Sequence, residues 1–157
     1  MRFTQRRLIA MLLAYGLSVL AAVAKPNFSG DWKMDPAKSD FGPMPTPDLL
    51  TYKIKHEEPT VEMASQQKGA QGEYEANSKY TTDGKECVNT IRNTEIKSTV
   101  TWDGDSIKMV SKLIFQGADL TLDDKWTLSE DGKTITVDRQ ISSPQGDLTM
   151  KTVLVKQ

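Results

Sequence analysis

An alternation of apolar and polar residues with a period of two runs from Leu50 almost to the C-terminus, and it constrains the fold most. Successive side chains of a β-strand point to opposite faces, so this period predicts strands with one buried and one wetted face. No segment in this region has the 3.6-residue period of an amphipathic helix. Asp-Gly pairs, a strong turn signal, divide the alternation at three places: Asp83-Gly84, Asp103-Gly104 and Asp131-Gly132.

The clearest of these units is a hairpin from Leu120 to Ile141, turned at Asp131-Gly132. A two-residue turn at this position places Asp124 directly opposite Arg139. A register slipped by one residue would set apolar positions opposite polar ones, so the alternation supports this pairing. Both charges then lie on the apolar face, where each costs free energy unless it is paired. The sequence therefore predicts an Asp124–Arg139 ion pair in the interior.

About ten strands in one antiparallel meander would leave two unpaired edges, and a sheet of that length curls on itself. We therefore expect an all-β fold, a single up-and-down barrel of about ten strands with no substantial helix after Lys25. Antiparallel ladders should join every consecutive strand pair from Leu50 to Val155, and Ala24–Met34 should pair with the last strand. The alternative is a two-sheet sandwich, which needs longer crossing connections than this sequence has.

The connections between strands fall into two groups, because successive antiparallel strands alternate in direction. Glu58-Pro59 and the three Asp-Gly turns lie at one end, which we expect to be tight. The other end should be looser, since it carries the loop 116–119 and the proline-rich segment 35–49 as well as a tight turn at Thr94-Glu95. Four inward side chains should fill the tight end: His56, Tyr80, Trp102 and Leu128. A closed base and an open mouth have the shape of a ligand-binding cup.

A proline-rich segment from Asp35 to Leu49 should cover the mouth. Its four prolines and Gly42 exclude a regular strand or a long helix. A loop of this length often has a function. Because it has few apolar residues and no expected ladder partners, we predict that it is the most mobile part of the chain after Lys25.

The same alternation extends the register outward from the hairpin, placing Ser111 opposite Asp124 and Met150 opposite Arg139. One interpretation of this row is a neutralised ion pair within a solid barrel. The other is that Arg139 receives the carboxylate or another polar head of an apolar ligand. Four further inward residues suit either a core or a pocket wall: Tyr52, Met63, Met109 and Trp126.

The first 24 residues have the pattern of a secretory signal peptide, with arginines before an apolar run and the small residues Ala22-Val23-Ala24 after it. The run is short for a membrane anchor, which is the alternative. We expect one domain over 25–157, exported to the periplasm or the extracellular space and without a membrane span. Loss of the leader's three arginines would lower the formal net charge from −1 to −4. No basic cluster remains, which argues against nucleic acid as a partner.

The residue inventory also argues against catalysis and metal binding. His56 is the only histidine and Cys87 the only cysteine, and no G-x-S-x-G motif is present. His56 is better explained as a turn or core histidine whose ring nitrogens are hydrogen-bonded. Cys87 is better explained as a small apolar residue near Trp102. We therefore expect no catalytic residue, no bound metal and no cofactor.

The segment Phe28-Ser29-Gly30-Asp31-Trp32 resembles the Gly-x-Trp signature on the first strand of the calycin superfamily, which includes lipocalins and fatty-acid-binding proteins. The resemblance implies that Gly30 and Trp32 lie at the barrel base, with Trp32 packed against an arginine from a late strand. Arg139 is the only inward candidate for that arginine. The resemblance also implies a small apolar ligand such as a lipid.

The chain departs from both branches of that superfamily. Gln140-Ile141 follows Arg139, so the Arg-x-Tyr carboxylate motif of the fatty-acid-binding branch is absent. The proline-rich segment cannot supply that branch's two lid helices, and the C-terminal helix of lipocalins is missing. The sequence looks most like a small secreted bacterial lipocalin-like protein.

The favoured function is thus an exported, non-enzymatic barrel that binds a small apolar molecule, with a carboxylate among the candidate ligands. The alternative is a protein-interaction barrel with a filled core, such as an inhibitor or an envelope accessory protein, that acts through its loops. An enzyme on this fold has no residue constellation to support it. The oligomeric state is left open.

Overall fold

The computed structural model describes residues 23–157, which contain ten β-strands and no helix. The all-β prediction is confirmed for these residues, whereas almost all of the predicted signal peptide lies outside them. No helix in the described part of the chain is long and apolar enough to cross a membrane. Numbered β1 to β10 in chain order, the strands are Gly30–Met34, Leu49–Glu57, Thr60–Gly69, Gly72–Thr81, Glu86–Ile91, Thr94–Asp103, Ser106–Phe115, Ala118–Leu128, Thr134–Ser143 and Gly146–Lys156.

The strands form one antiparallel sheet in the order β4-β3-β2-β1-β10-β9-β8-β7-β6-β5. The first strand lies in the middle of this order, because Trp32 pairs with Tyr52 of β2 and with Lys156 of β10. The two halves of the meander are thereby joined, and the sheet curls into a nearly closed up-and-down barrel, as the alternation predicted. The end that carries the β2–β3, β4–β5, β6–β7 and β8–β9 connections is called the base, and the opposite end the mouth.

The barrel is not closed by a ladder between β4 and β5, the two edges of the sheet. Our prediction of a ladder between every consecutive pair is wrong here for the described residues. Side chains bridge the two edges instead. The Lys79 amide donates to Asn89 Oδ1 (2.9 Å), Asn89 Nδ2 donates to the Lys79 carbonyl (3.1 Å), and the Thr81 amide donates to Cys87 Sγ (3.3 Å). Hydrogen bonds from side chains of β5 thus stand in place of a backbone ladder between the two edges.

The predicted pairing of Asp124 with Arg139, and of Arg139 with Met150, is confirmed. The pairing of β7 with β8 is displaced by two residues, so Met109 and not Ser111 lies opposite Asp124. The cause is a tight two-residue turn at Gln116-Gly117, with φ of 52° and 79°, where a four-residue loop was expected. Two consecutive positive φ angles are typical of a type I′ hairpin turn. A displacement of two preserves the face of every side chain.

A second turn is tight, as expected, but lies two residues before its predicted position at Thr94-Glu95. Arg92 and Asn93, with φ of 51° and 62°, connect β5 to β6, and Thr94 already belongs to β6. Non-glycine residues with positive φ are uncommon, apart from Asn and Asp. The sequence signal was therefore weaker here than at the Asp-Gly turns.

The proline-rich segment is attached to the barrel at both of its ends, because the Asp48 amide near its end also donates to the Lys68 carbonyl of β3 (2.9 Å). Asp40 and Lys151 of β10 exchange backbone hydrogen bonds, each 2.7 Å long, and Ser39 Oγ accepts one from the Val153 amide (3.0 Å). The Phe41 side chain is buried beneath it, whereas Gly42–Thr46 is exposed. Our expectation that this segment has no ladder partner is therefore wrong, and its mobility remains a prediction.

Candidate functional site

The Asp124–Arg139 pair is formed by opposed residues of β8 and β9. Arg139 Nε donates to Asp124 Oδ1 and Arg139 Nη2 to Asp124 Oδ2, both at 2.6 Å, which is the bidentate fork of a strong ion pair. The Asp124 side chain is 2% exposed and the Arg139 side chain 33%. The carboxylate is thus sealed behind the guanidinium, and only the arginine is available to a ligand.

The protonation states around the pair are fixed by burial and by charge. Burial lowers the pKa of Arg139, but the Asp124 carboxylate more than offsets this and holds the pKa above its ordinary value. Burial raises the pKa of Tyr52 to about 12, and it also raises the pKa of Tyr74. At neutral pH the arginine is therefore charged and both phenols are neutral.

A cavity of about 220 Å³ lies at the mouth, directly beneath the proline-rich segment. That segment contributes Phe41, Met44 and two prolines to the wall, and Leu50, Val137 and Ile141 extend the apolar surface toward the barrel interior. Polar groups form about half of the cavity wall, and six side chains contribute to them: Tyr52, Gln67, Gln71, Tyr74, Arg139 and Thr152.

Arg139 is the only residue among the described cavity-lining side chains that is charged at neutral pH. Tyr74 donates its hydroxyl to Gln67 Oε1 (2.8 Å), which leaves the Tyr74 oxygen free to accept a hydrogen bond. The Arg92 guanidinium lies over the Tyr74 ring, 4.9 Å from its centroid. The site therefore combines an apolar wall with one compensated charge and several neutral donors and acceptors.

The structure separates the predicted site residues into two groups. Arg139, Met150 and Tyr52 line the cavity, and Asp124 is buried behind Arg139. The other four do not line it: Ser111, Met63, Met109 and Trp126.

The four residues outside the cavity wall belong to the interior packing. Ser111 hydrogen-bonds to Ser98 (Oγ–Oγ, 2.7 Å). Met63 and Met109 pack against the core, and Trp126 stacks on Tyr52 with ring centroids 5.6 Å apart. Sequence reasoning missed Phe41 and Tyr74 as wall residues. Phe41 is outside any strand, so alternation gave no signal for it, whereas the inward position of Tyr74 could have been used.

The base is filled rather than hollow. Phe28, 1% exposed, packs on His56 and Trp102 with ring centroids 6.0 and 6.2 Å away. The Phe28 amide donates to His56 Nδ1 (3.2 Å), so the neutral ring carries its proton on Nε2 and donates it to Glu58 Oε1 (2.6 Å). His56 thus has both nitrogens satisfied within the base, as expected for a core histidine.

Trp32 lies next to this base and is fully buried. Its Nε1 donates to the Phe28 carbonyl (3.0 Å), and Lys156 Nζ lies 5.3 Å from its ring centroid. The cation over Trp32 is therefore Lys156 of the last strand rather than Arg139, which is held by Asp124. Gly30 permits this arrangement, because a Cβ at this position would lie 2.8 Å from Lys156 Cε.

No group of three or more metal-ligating side chains is present within residues 23–157. No protein-family model matches the chain, and no curated protein matches it in sequence. Solved structures do match in fold, which is calycin-like.

Three of these structures cover 82–83% of the chain. One is a secretory abundant heat soluble protein from Ramazzottius varieornatus, with 17% identity, TM-score 0.58 and 94% of its own chain covered. The second is zebrafish ileal bile acid-binding protein complexed with cholic acid, with 16% identity, TM-score 0.57 and 98% covered. The third is the fluorescent protein UnaG, with 13% identity, TM-score 0.58 and 97% covered. None of the three names describes an enzyme.

Proposed function

We propose that this protein is an exported, non-enzymatic barrel that binds a small, largely apolar molecule at its mouth. The observation that carries the proposal is the cavity beneath the proline-rich segment, whose wall is about half apolar and half polar, with Arg139 in the polar half. Ligand sites are usually concave and mostly apolar, with a few convergent polar groups that orient the ligand. In this arrangement the apolar part of the ligand contacts Phe41, Leu50 and Met150, and its polar end meets Arg139.

Two lines of support come from outside the site. The zebrafish protein of similar fold is complexed with cholic acid, a small amphipathic molecule. The pattern of residues 1–24 supports export, with cleavage after Ala24 and a periplasmic or extracellular location.

The cavity volume limits the ligand. At about 220 Å³ it is slightly smaller than the roughly 300–1,000 Å³ of most ligand sites. The ligand is accordingly small, or its end extends past Met44 and Pro45 into solvent. Both cases leave the filled base undisturbed.

A cavity-filling variant tests this proposal. Nile red, a neutral apolar dye, should bind the protein with 1:1 stoichiometry and increased fluorescence, and Met150→Trp should weaken binding roughly tenfold or more by occupying the cavity. Lys151→Trp adds the same bulk to the outer face of the next residue and is the matched control. Equal binding by the Met150→Trp and control proteins, or no binding by the native protein, would contradict the proposal.

One observation favours the alternative of a protein-interaction barrel that acts through its loops. Ile114 and Phe115, beside the β7–β8 turn at the mouth, are 64% and 51% exposed. Exposed apolar side chains of this kind often mark a contact with another protein. Under this alternative, Ile114→Ser with Phe115→Ser would abolish capture of a partner, and Met150→Trp would not.

A further inference from the structure

We propose that the mouth cavity selects a neutral ligand with a hydrogen-bonding end, such as an amide, ketone or alcohol, over the corresponding carboxylate. This inference rests on the proposed function and specifies its ligand class. It follows from the ion pair that Arg139 already forms with Asp124 inside the barrel.

The first step is the charge of the site. Arg139 is the one charged residue in the described lining, and its charge is balanced by Asp124 in a bidentate pair. Asp124 is 2% exposed, so water screens its charge little. A ligand that approaches Arg139 therefore meets a neutral pair and not an isolated cation.

The second step is the remaining hydrogen-bonding capacity. A guanidinium has five N–H donors, and Asp124 accepts one from Nε and one from Nη2. The remaining donors, including both on Nη1, have room for a carbonyl or hydroxyl oxygen, because the Arg139 side chain keeps a third of its surface exposed. The pair therefore offers hydrogen bonds to a ligand without offering it net charge.

The third step is the cost of a second carboxylate. A bound carboxylate would share the guanidinium with Asp124, placing two negative charges on one cation in a cavity whose described lining holds no second cation. Like charges that are brought together away from water repel strongly, and protein interfaces use this repulsion to reject wrong partners. Arg92, which lies over the Tyr74 ring, does not line the cavity and so does not supply a second cation there.

The other polar groups also suit a neutral ligand. Tyr52, Tyr74 and Gln67 can each exchange hydrogen bonds with a carbonyl, hydroxyl or amide, and none supplies a positive charge. An amide group can accept from Arg139 and donate to the free lone pairs of the Tyr74 oxygen. A carboxylate can only accept.

Decanamide and decanoic acid form a suitable pair of probes, because their end groups have nearly the same shape but differ in charge. Each displaces Nile red from the native protein at a pH at which the acid is ionised. We expect decanamide to compete roughly tenfold or more better than decanoate. Asp124→Asn removes the compensating charge, so the same measurement should then favour decanoate.

Asp123→Asn is the matched control, because Asp123 lies on the same strand, faces outward and pairs with Lys108 (3.5 Å). It should leave the preference for decanamide unchanged. Should Asp124→Asn fail to fold, Thr152→Lys provides the same test by adding an unpaired cation to the cavity wall, and it too should shift the preference toward decanoate.

The inference is overturned if the native protein binds decanoate as tightly as decanamide. It is also overturned if neither Asp124→Asn nor Thr152→Lys, once folded, moves the preference. In both cases Nile red still binds, so the proposed function stands. Failure of Nile red to bind the native protein overturns the proposed function and this inference together.

Discussion

The base and the mouth of the barrel both place polar residues on the inner, apolar face, yet one end is solid and the other hollow. At the base, His56 is satisfied on both nitrogens, and Phe28 fills the space above it. At the mouth, the Asp124–Arg139 pair is satisfied as well, but Arg139 borders a cavity. Satisfied hydrogen bonds therefore do not distinguish a structural polar group from a ligand site.

The difference lies in the chain segments that cover the two ends. Phe28 comes from the residues before β1 and is 1% exposed, so it is packed as a core residue. The proline-rich segment over the mouth buries Phe41 but leaves Met44 37% exposed. Both ends are built from strands with the same alternation of side chains. One end is closed and the other open because the residues outside the strands pack tightly only at the base.

The largest expected effect is at the base. Phe28→Ala should lower the free energy of unfolding by about 3–5 kcal/mol, because a large buried ring is lost and the tight base cannot collapse around the gap. Denaturation in urea measures this loss. Nile red affinity of the folded variant should not change, because Phe28 does not line the mouth cavity.

Val88→Ala is the control for that experiment, since Val88 is 54% exposed and its change should stay within about 0.5 kcal/mol. A small loss for Phe28→Ala, or a loss of dye binding at full stability, would contradict the distinction between the two ends.

The second effect is at the mouth. Arg139→Met should cost about 3 kcal/mol, the lower end of the range for breaking a buried pair, because the buried Asp124 loses its partner while water can still enter from the mouth. Adding Asp124→Leu should recover much of the loss, which urea denaturation of the single and double variants would reveal. A double variant as unstable as the single one would show that the pair is not the source of the loss.

The third effect concerns pH at the base. Burial raises the pKa of Glu58, but hydrogen bonds from Thr82 and His56 more than offset it and place the pKa below its ordinary value of 4.5. A carboxyl with a lowered pKa contributes stability that is present above pH 4.5 and is lost as pH falls through the folded-state value.

Glu58→Gln should therefore lower stability at neutral pH and flatten its decline in acid. We expect less than about 1 kcal/mol, since the Glu58 side chain is 45% exposed and water screens it. Melting temperatures measured from neutral to acid pH, with Glu57→Gln as the neighbouring control, would show this. An unchanged acid decline in Glu58→Gln would mean that another group causes it.

The features that could be predicted from the sequence are those that follow from the period-two alternation of side chains along each strand. Asp124 opposite Arg139, and Met150 opposite Arg139, follow from the Asp131-Gly132 turn and the alternation. The β7–β8 register was wrong by two residues because Gln116 takes a positive φ that its residue type does not signal. The predicted face of every side chain in β7 and β8 is still correct, but the residue opposite Asp124 is Met109 and not Ser111.

Features that depend on the approach of two sheet edges, or on residues outside strands, could not be predicted in this way. The sequence of β5 alternates as a paired strand would, so nothing in it shows that Asn89 bridges to Lys79 in place of a ladder. Phe41 lies in a segment without a period, and Phe28 was expected within a first strand that in fact begins only at Gly30. Their burial closes the base and shapes the mouth, and it depends on three-dimensional packing alone.

The smallest expected effect on stability separates the two halves of the proline-rich segment. Met44 is exposed and lines the cavity, so Met44→Ser should change the unfolding free energy by no more than about 0.5 kcal/mol. It removes an apolar contact at the outer wall, so Nile red should dissociate faster in a stopped-flow experiment. Phe41→Ala is the comparison, since Phe41 is 8% exposed and its loss should cost about 3 kcal/mol or more. If Met44→Ser destabilised the protein as much as Phe41→Ala does, the whole segment would be packed structure, and the mouth would be closed by the same means as the base.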